Sequence, residues 1–235
     1  MSRRHLLVFA VVVGLLSLVA CRSPKPTDSE GSGAATSENE ARGADKGVEK
    51  IRALAEEPED DSLEIATFAG GCFWCMEPPF DRIDGVTATI VGYTGGEEAH
   101  PTYEQVASGQ TSHAEAIRVY YEPEEVSYAQ LLEVFWRNID PTQTDGQFVD
   151  RGTQYRSAIY YHDPRQKQLA EESKAELERS GPFDEPIVTE LEPAGTFWRA
   201  EEYHQDFYKK DPARYKSYRR GSGRDQFIER IWGDQ

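Results

Sequence analysis

The placement of the aromatic residues divides this chain before any motif is read: all four Trp and all twelve Tyr lie beyond residue 62. Rings of that size need a core to sit in, so the stretch that holds them has to fold and the stretch without them does not. Residues 22–62 carry eleven acids, six bases and only three large aliphatics, Val48, Ile51 and Leu54. That composition reads 21–62 as an acidic flexible tether, with at most a short amphipathic turn before Pro58. It leaves a folded domain over 63–220 and a tail over 221–235. The domain is long enough to bury a core without covalent staples, and the whole chain has 3 Cys, which excludes a disulfide framework. A net charge of -16 and a pI near 4.8 exclude a duplex nucleic-acid binder, which needs a basic face against phosphate. No internal repeat is present.

Residues 1–20 read as an export signal. Arg3 and Arg4 precede an apolar run from Leu6 to Ala20, too short at fifteen residues for the ~20 that span a bilayer. The run ends in Leu18-Val19-Ala20-Cys21, which resembles the lipobox of bacterial lipoproteins. That resemblance implies cleavage before Cys21, lipidation of its thiol and an extracytoplasmic domain anchored to a bacterial membrane. Residues 1–20 contain no acid, so the exported remainder is more acidic still and its membrane contact is the lipid rather than a basic patch.

From Leu63 onward, strand and helix signals alternate. Leu63–Phe68, Val86–Val91, Ala114–Tyr121, Arg156–Tyr161 and Ile187–Leu191 read as strands. Ser127 caps a helix over Tyr128–Asn138 with Leu131, Leu132, Phe135 and Trp136 on one stripe. Another helix starts at Asp163-Pro164 and ends at Gly181, and a last one begins near Glu201. The expected fold is an α+β two-layer sandwich with long loops at 92–113 and 139–155, the length at which loops carry function.

Apart from Cys21 the thiols are Cys72 and Cys75, in Gly-Gly-Cys-Phe-Trp-Cys. At a helix start, unpaired N–H groups and the helix dipole favour a thiolate, and the second sulfur is within reach for an internal disulfide. A structural bridge over so small a loop would add little stability, and a closed zinc site wants four ligands where only two cysteines exist, so redox chemistry without a metal is the expectation. The Pro78-Pro79 pair is expected to break or kink this helix after its first turn.

Five separated motifs then carry a resemblance: Gly71-Cys72-Phe73-Trp74, Gly92-Tyr93-Thr94-Gly95-Gly96, His113-Ala114-Glu115, Gly152-Thr153-Gln154-Tyr155-Arg156-Ser157 and Ala200-Glu201-Glu202-Tyr203-His204-Gln205. In order and spacing they are similar to the peptide methionine sulfoxide reductase A family, over about 63–216. The resemblance implies a ferredoxin-like α/β plait that reduces the S epimer of methionine sulfoxide, free or in proteins, as a monomer. It implies a Cys sulfenic acid, no metal or organic cofactor, and an external thiol reductant such as a thioredoxin-like protein. Position by position, Cys72 matches the nucleophile, and Phe73 and Trp74 the pocket for the methyl group. Glu115 matches the acid that protonates the sulfoxide oxygen, Tyr103 and Tyr155 the phenols that bind it, and Asp150 a substrate-orienting carboxylate.

The residues support these roles on their own chemistry. Glu115 shares an alternating strand face with Ile117 and Val119, where desolvation keeps a carboxyl protonated and able to donate to an oxygen gaining charge. Attack of sulfur on a sulfoxide needs the S–O bond polarised, which two phenols and an acid supply. One departure stands out: where many relatives place a resolving Cys, this chain reads Tyr215-Lys216, and no Cys follows. Resolution is therefore expected from Cys75 or from an external thiol, and the roles of Tyr215, His113 and His204 stay open. Two other classes are carried alongside: a thioredoxin-like extracytoplasmic thiol-disulfide oxidoreductase, for which the Cys-x-x-Cys pair would suffice, and a non-enzymatic binding lipoprotein.

Overall fold

The computed structural model describes residue 58 and residues 60–233. The expected export signal, Cys21 and nearly all of the expected tether lie outside the described residues. Among the described residues, no helix is long and apolar enough to cross a membrane.

The chain runs β1 (Glu64–Gly70), α1 (Phe73–Asp81), β2 (Val86–Thr94), α2 (Tyr103–Ala107), β3 (Ala114–Tyr121) and α3 (Tyr128–Arg137). A small hairpin, β4 (Gly146–Gln147) with β5 (Asp150–Arg151), and a 3-10 turn at Thr153–Tyr155 lead into β6 (Ser157–Tyr161). Then follow α4 (Pro164–Ser180), β7 (Glu190–Pro193), β8 (Trp198–Arg199), α5 (Phe207–Lys210), α6 (Pro212–Gly221) and α7 (Arg224–Trp232). The main sheet is ordered β7-β6-β1-β3-β2-β8. Its inner strands are antiparallel neighbours in the spatial order β6-β1-β3-β2, and the chain order β1-α1-β2-β3-α3-β6 makes them the expected ferredoxin-like plait. β7 extends it in parallel beyond β6, and β8 in antiparallel beyond β2.

Strand alternation decides which side chains enter the core. Phe68 of β1 stacks between Phe80 of α1 and Phe135 of α3, with ring centroids 5.2 and 5.1 Å away. Ile117, Val119 and Tyr121 of β3 join the same layer, and Leu131, Leu132, Phe135 and Trp136 form the buried stripe of α3. Ser127 and Gln130 close a capping box at the start of α3, a device worth about 1 kcal/mol. On the opposite sheet face Ala69, Ala114, Ala116 and Ala158 are small enough for the segment with Ala194 and Phe197 to lie close.

Three elements depart from the sequence reading. α1 continues through Pro78 and Pro79 to Asp81. Pro79 has no N–H for the carbonyl of Cys75, and Arg219 Nη1 donates to that carbonyl instead, at 3.0 Å. The seventh strand starts at Glu190 rather than Ile187, because Val188 N donates to Pro141 O and Thr189 O accepts from Lys174 Nζ, both at 2.8 Å. The last helical region begins at Phe207 rather than Glu201: Asp206 takes a left-handed conformation, φ 52, which ends the preceding turns. The stretch 221–235 carries α7, whose Phe227 packs on Phe148 and Phe183.

Candidate active site

β1 ends at Gly70, and Gly71 turns the chain into α1 with φ +80, where a Cβ would lie 2.5 Å from that of Gln147. The next residue, Cys72, is the N-cap of α1, so its sulfur sits at the open end of a helix. Around it a cavity of about 90 Å³ is lined by Cys72, Phe73, Trp74, Tyr103, Glu115, Asp150, Tyr155 and Tyr218. Every pocket residue expected from the sequence is thus in one place. Cys75, one turn on, is fully buried in a cluster with Phe207 and Tyr215.

Each group is held by a named contact. Glu115, from β3, accepts from Phe73 N through Oε2 at 3.0 Å, which joins the carboxyl to the first turn of α1. Burial pushes its pKa up to about 8 against the opposing pull of that N–H, so it carries a proton at neutral pH. Tyr103 opens α2, and its backbone N donates to Glu201 Oε1 at 2.8 Å while Tyr93 Oη donates to Glu201 Oε2 at 2.8 Å. Tyr155 closes the 3-10 turn that Gly152 enters at φ +120, where a side chain would strike Gln154. Gln154 in turn donates to Ala107 O at 3.0 Å, tying the Tyr155 turn to the end of α2. Burial raises both phenols, Tyr103 to about 12, so both remain donors.

The two aromatic residues after Cys72 differ in their anchoring. Phe73 is buried among Val91, Tyr93, Val106 and Ala200. Trp74 stacks on Phe207 at 3.8 Å, and its Nε1 donates to His204 Nδ1 at 3.0 Å. Burial lowers His204 to about 4, which keeps its ring neutral and Nδ1 free to accept. His113 holds the loop after β2: Nδ1 accepts from Gly96 N at 3.2 Å and Nε2 lies 2.7 Å from Glu98 O. Both histidines are therefore positioning residues. Gln205 clamps β2 through Val91, accepting from its N and donating to its O, each at 2.9 Å.

The two sulfurs are not equivalent. Burial and the hydrogen bond it gives to Cys75 both raise Cys72. Cys75 is lowered to about 7, first by that hydrogen bond and then by the Arg224 and Arg219 guanidiniums. The lowered thiol is therefore the inner sulfur rather than the one facing the pocket. Tyr218, Arg219 and Arg224 were absent from the sequence reading. They lie on the C-terminal helices outside the five motifs, and only the repeat Tyr215, Tyr218/Arg219, Ser222 along one helical face marks the buried side of α6.

A reduced, buried cysteine pair whose outer sulfur faces a protonated carboxyl and two neutral phenols defines a thiol-dependent reductase of a polarised oxygen-bearing substrate. Residues 64–235 match the family model described as peptide methionine sulfoxide reductase, and the chain belongs to that family. A relative from Bacillus licheniformis named peptide methionine sulfoxide reductase MsrA is 54% identical over 173 residues, 74% of this chain and 96% of that one. One of the same name from Bacillus subtilis is 55% identical over 173 residues, 74% and 98% of the two chains. Among solved structures, Mxr1 from Saccharomyces cerevisiae in reduced form superposes with a TM-score of 0.63 at 33% identity, covering 67% of this chain and 90% of that one. Methionine sulfoxide reductase A of Corynebacterium diphtheriae gives 0.59 at 36% identity, covering 66% and 77%. The protein is thus an oxidoreductase that reduces methionine sulfoxide, and the thioredoxin-like and non-enzymatic alternatives fall away.

Proposed function

We propose that the protein reduces the S epimer of methionine sulfoxide, free or within proteins, by oxygen transfer to Cys72, followed by disulfide closure with Cys75 and reopening by a thioredoxin-like donor. The observation that carries this reading is the single pocket in which Cys72 meets Glu115, Tyr103 and Tyr155, with Cys75 hydrogen-bonded to Cys72. Cys72 sulfur attacks the sulfoxide sulfur while Glu115 protonates the oxygen and the phenols bind it. The S–O bond to the substrate breaks as one forms to Cys72, leaving a thioether and a sulfenic acid. The substrate methyl group rests on Phe73 and Trp74, and Asp150 orients the substrate. Thiol proton and oxygen balance without a metal or organic cofactor. Reduction of the two epimers driven by dithiothreitol tests the reading: turnover of the S epimer alone is expected, and turnover of the R epimer alone or of neither overturns it.

Glu115→Gln keeps the shape and removes the acid. General acid catalysis supplies roughly 10²–10⁴, so the single-turnover rate should drop by more than about tenfold. The parent should also show a limb that falls as pH rises through about 8, where Glu115 loses its proton, and the Gln variant should lack that limb. Wild-type rates in the variant would make Glu115 structural.

The same reading places the domain outside the cytoplasm, on a lipid at Cys21. Its support is the Leu-Val-Ala-Cys ending of a short apolar run. Mass spectrometry of membrane-associated protein should find a lipidated Cys21 as the first residue, whereas soluble cytoplasmic protein retaining residues 1–20 would count against it.

A further inference from the structure

We propose that Tyr218 is a catalytic residue of the second half-reaction, giving the proton on which the oxygen of Cys72 sulfenic acid leaves as water when Cys75 closes the disulfide. The inference rests on Cys75 being the resolving thiol.

Tyr218 joins the two halves of the site. It lines the pocket with Cys72, and its ring packs on the cluster that buries Cys75. Trp74 does both as well, but an indole N–H does not serve as a general acid, as a phenol can. Of the three phenols that line the pocket, Tyr218 is the one whose ring also packs on the cluster around Cys75. Its Oη donates to Asp150 Oδ2 at 2.5 Å, so the phenol is held at the pocket floor with a carboxylate behind it. Tyr103 and Tyr155 reach the same pocket from α2 and from the 3-10 turn, away from the helix that covers Cys75. Burial, the hydrogen bond to Asp150 and the charge of that carboxylate raise Tyr218, which keeps its proton in place until it is used.

The chemistry requires such a donor. As Cys75 sulfur attacks, an S–S bond forms and the S–O bond of Cys72 breaks, with its electron pair leaving on oxygen. Hydroxide is a poor leaving group, and a proton delivered to that oxygen turns it into water. The phenol regains its proton from solvent, which receives the one shed by Cys75. One sulfenic acid and one thiol become one disulfide and one water: the sulfenic sulfur is reduced and Cys75 is oxidised. Glu115 has spent its own proton on the substrate oxygen one step earlier.

Rapid-quench measurement of methionine release and of Cys72–Cys75 disulfide formation separates the steps. In Tyr218→Phe, disulfide formation should slow at least about tenfold more than methionine release. Sulfenic acid should accumulate and be trapped by dimedone. Incorporation of 3-fluorotyrosine at 218 keeps the ring and the phenol, and should restore disulfide formation, which also serves as the folding control. If Tyr218 acts only by holding Asp150, then Tyr218→Phe and Asp150→Asn will slow methionine release alike and leave disulfide formation at the parent rate, which overturns the proposal. A parent enzyme that releases methionine and forms no Cys72–Cys75 disulfide overturns the resolving role of Cys75 instead, and this proposal with it.

Discussion

Replacement of Cys72 by Ser is expected to leave no measurable reduction of methionine sulfoxide, even as one equivalent in a single turnover. The step needs a polarisable nucleophile that can expand its bonding to accept oxygen and leave as a stable sulfenic acid, and a serine hydroxyl can do neither. Cys75 cannot take over, because it is fully exposed to neither solvent nor pocket: its relative exposure is 0% and it is absent from the cavity lining. The substitution is nearly isosteric and the site it occupies is an N-cap position, where Ser is favoured, so loss of folding is not the expected cause. Quantifying methionine released from the S epimer by a stoichiometric amount of variant checks this. Release of one equivalent would remove Cys72 from the role of nucleophile.

Which parts of this site could be read from the sequence follows from how local each interaction is. Gly71 and Gly152 stood in the sequence only as members of their motifs, and it is the structure that shows backbone conformations and close neighbours excluding a side chain. Glu115 was legible because strand alternation places it beside Ile117 and Val119 without reference to any other element. Tyr103 and Tyr155 are two phenols among twelve and were selected by the family resemblance alone. The boundaries that shifted are those set by distant partners. α1 survives two prolines because Arg219, 144 positions away, donates to the Cys75 carbonyl that Pro79 leaves unpaired. Ile187–Thr189 leave the strand because their hydrogen bonds go to Pro141 and Lys174.

The same distance rule explains which of the two sulfurs is lowered. A helix start lowers a thiol when the sulfur meets the free N–H groups, yet Cys72 makes no side-chain capping bond to its helix. Its N–H neighbour Phe73 is already engaged by Glu115. The hydrogen bond from Cys72 and then two guanidiniums from α6 and α7 lower Cys75 instead, and neither arginine is near the cysteines in sequence.

Substitution of Cys75 by Ser should separate chemistry from turnover. A serine hydroxyl can still accept the hydrogen bond from Cys72, and the pocket groups that bind and protonate the sulfoxide oxygen are untouched, so one methionine per enzyme should still be released. What is lost is the attack on the sulfenic acid. Cys72 and Cys75 are the free cysteines among the described residues, so no other thiol among them can replace it. A thioredoxin-type donor opens disulfides by exchange, and with no disulfide formed its turnover should fall to background. Dithiothreitol is small enough to meet the sulfenic acid directly, and turnover driven by it should persist in part. Mass spectrometry after one turnover should show the Cys72–Cys75 bridge in the parent and a trappable sulfenic acid in the variant. Undiminished donor-driven turnover by Cys75→Ser would mean that the donor reduces Cys72 itself, and that the lowered thiol beneath it serves another purpose.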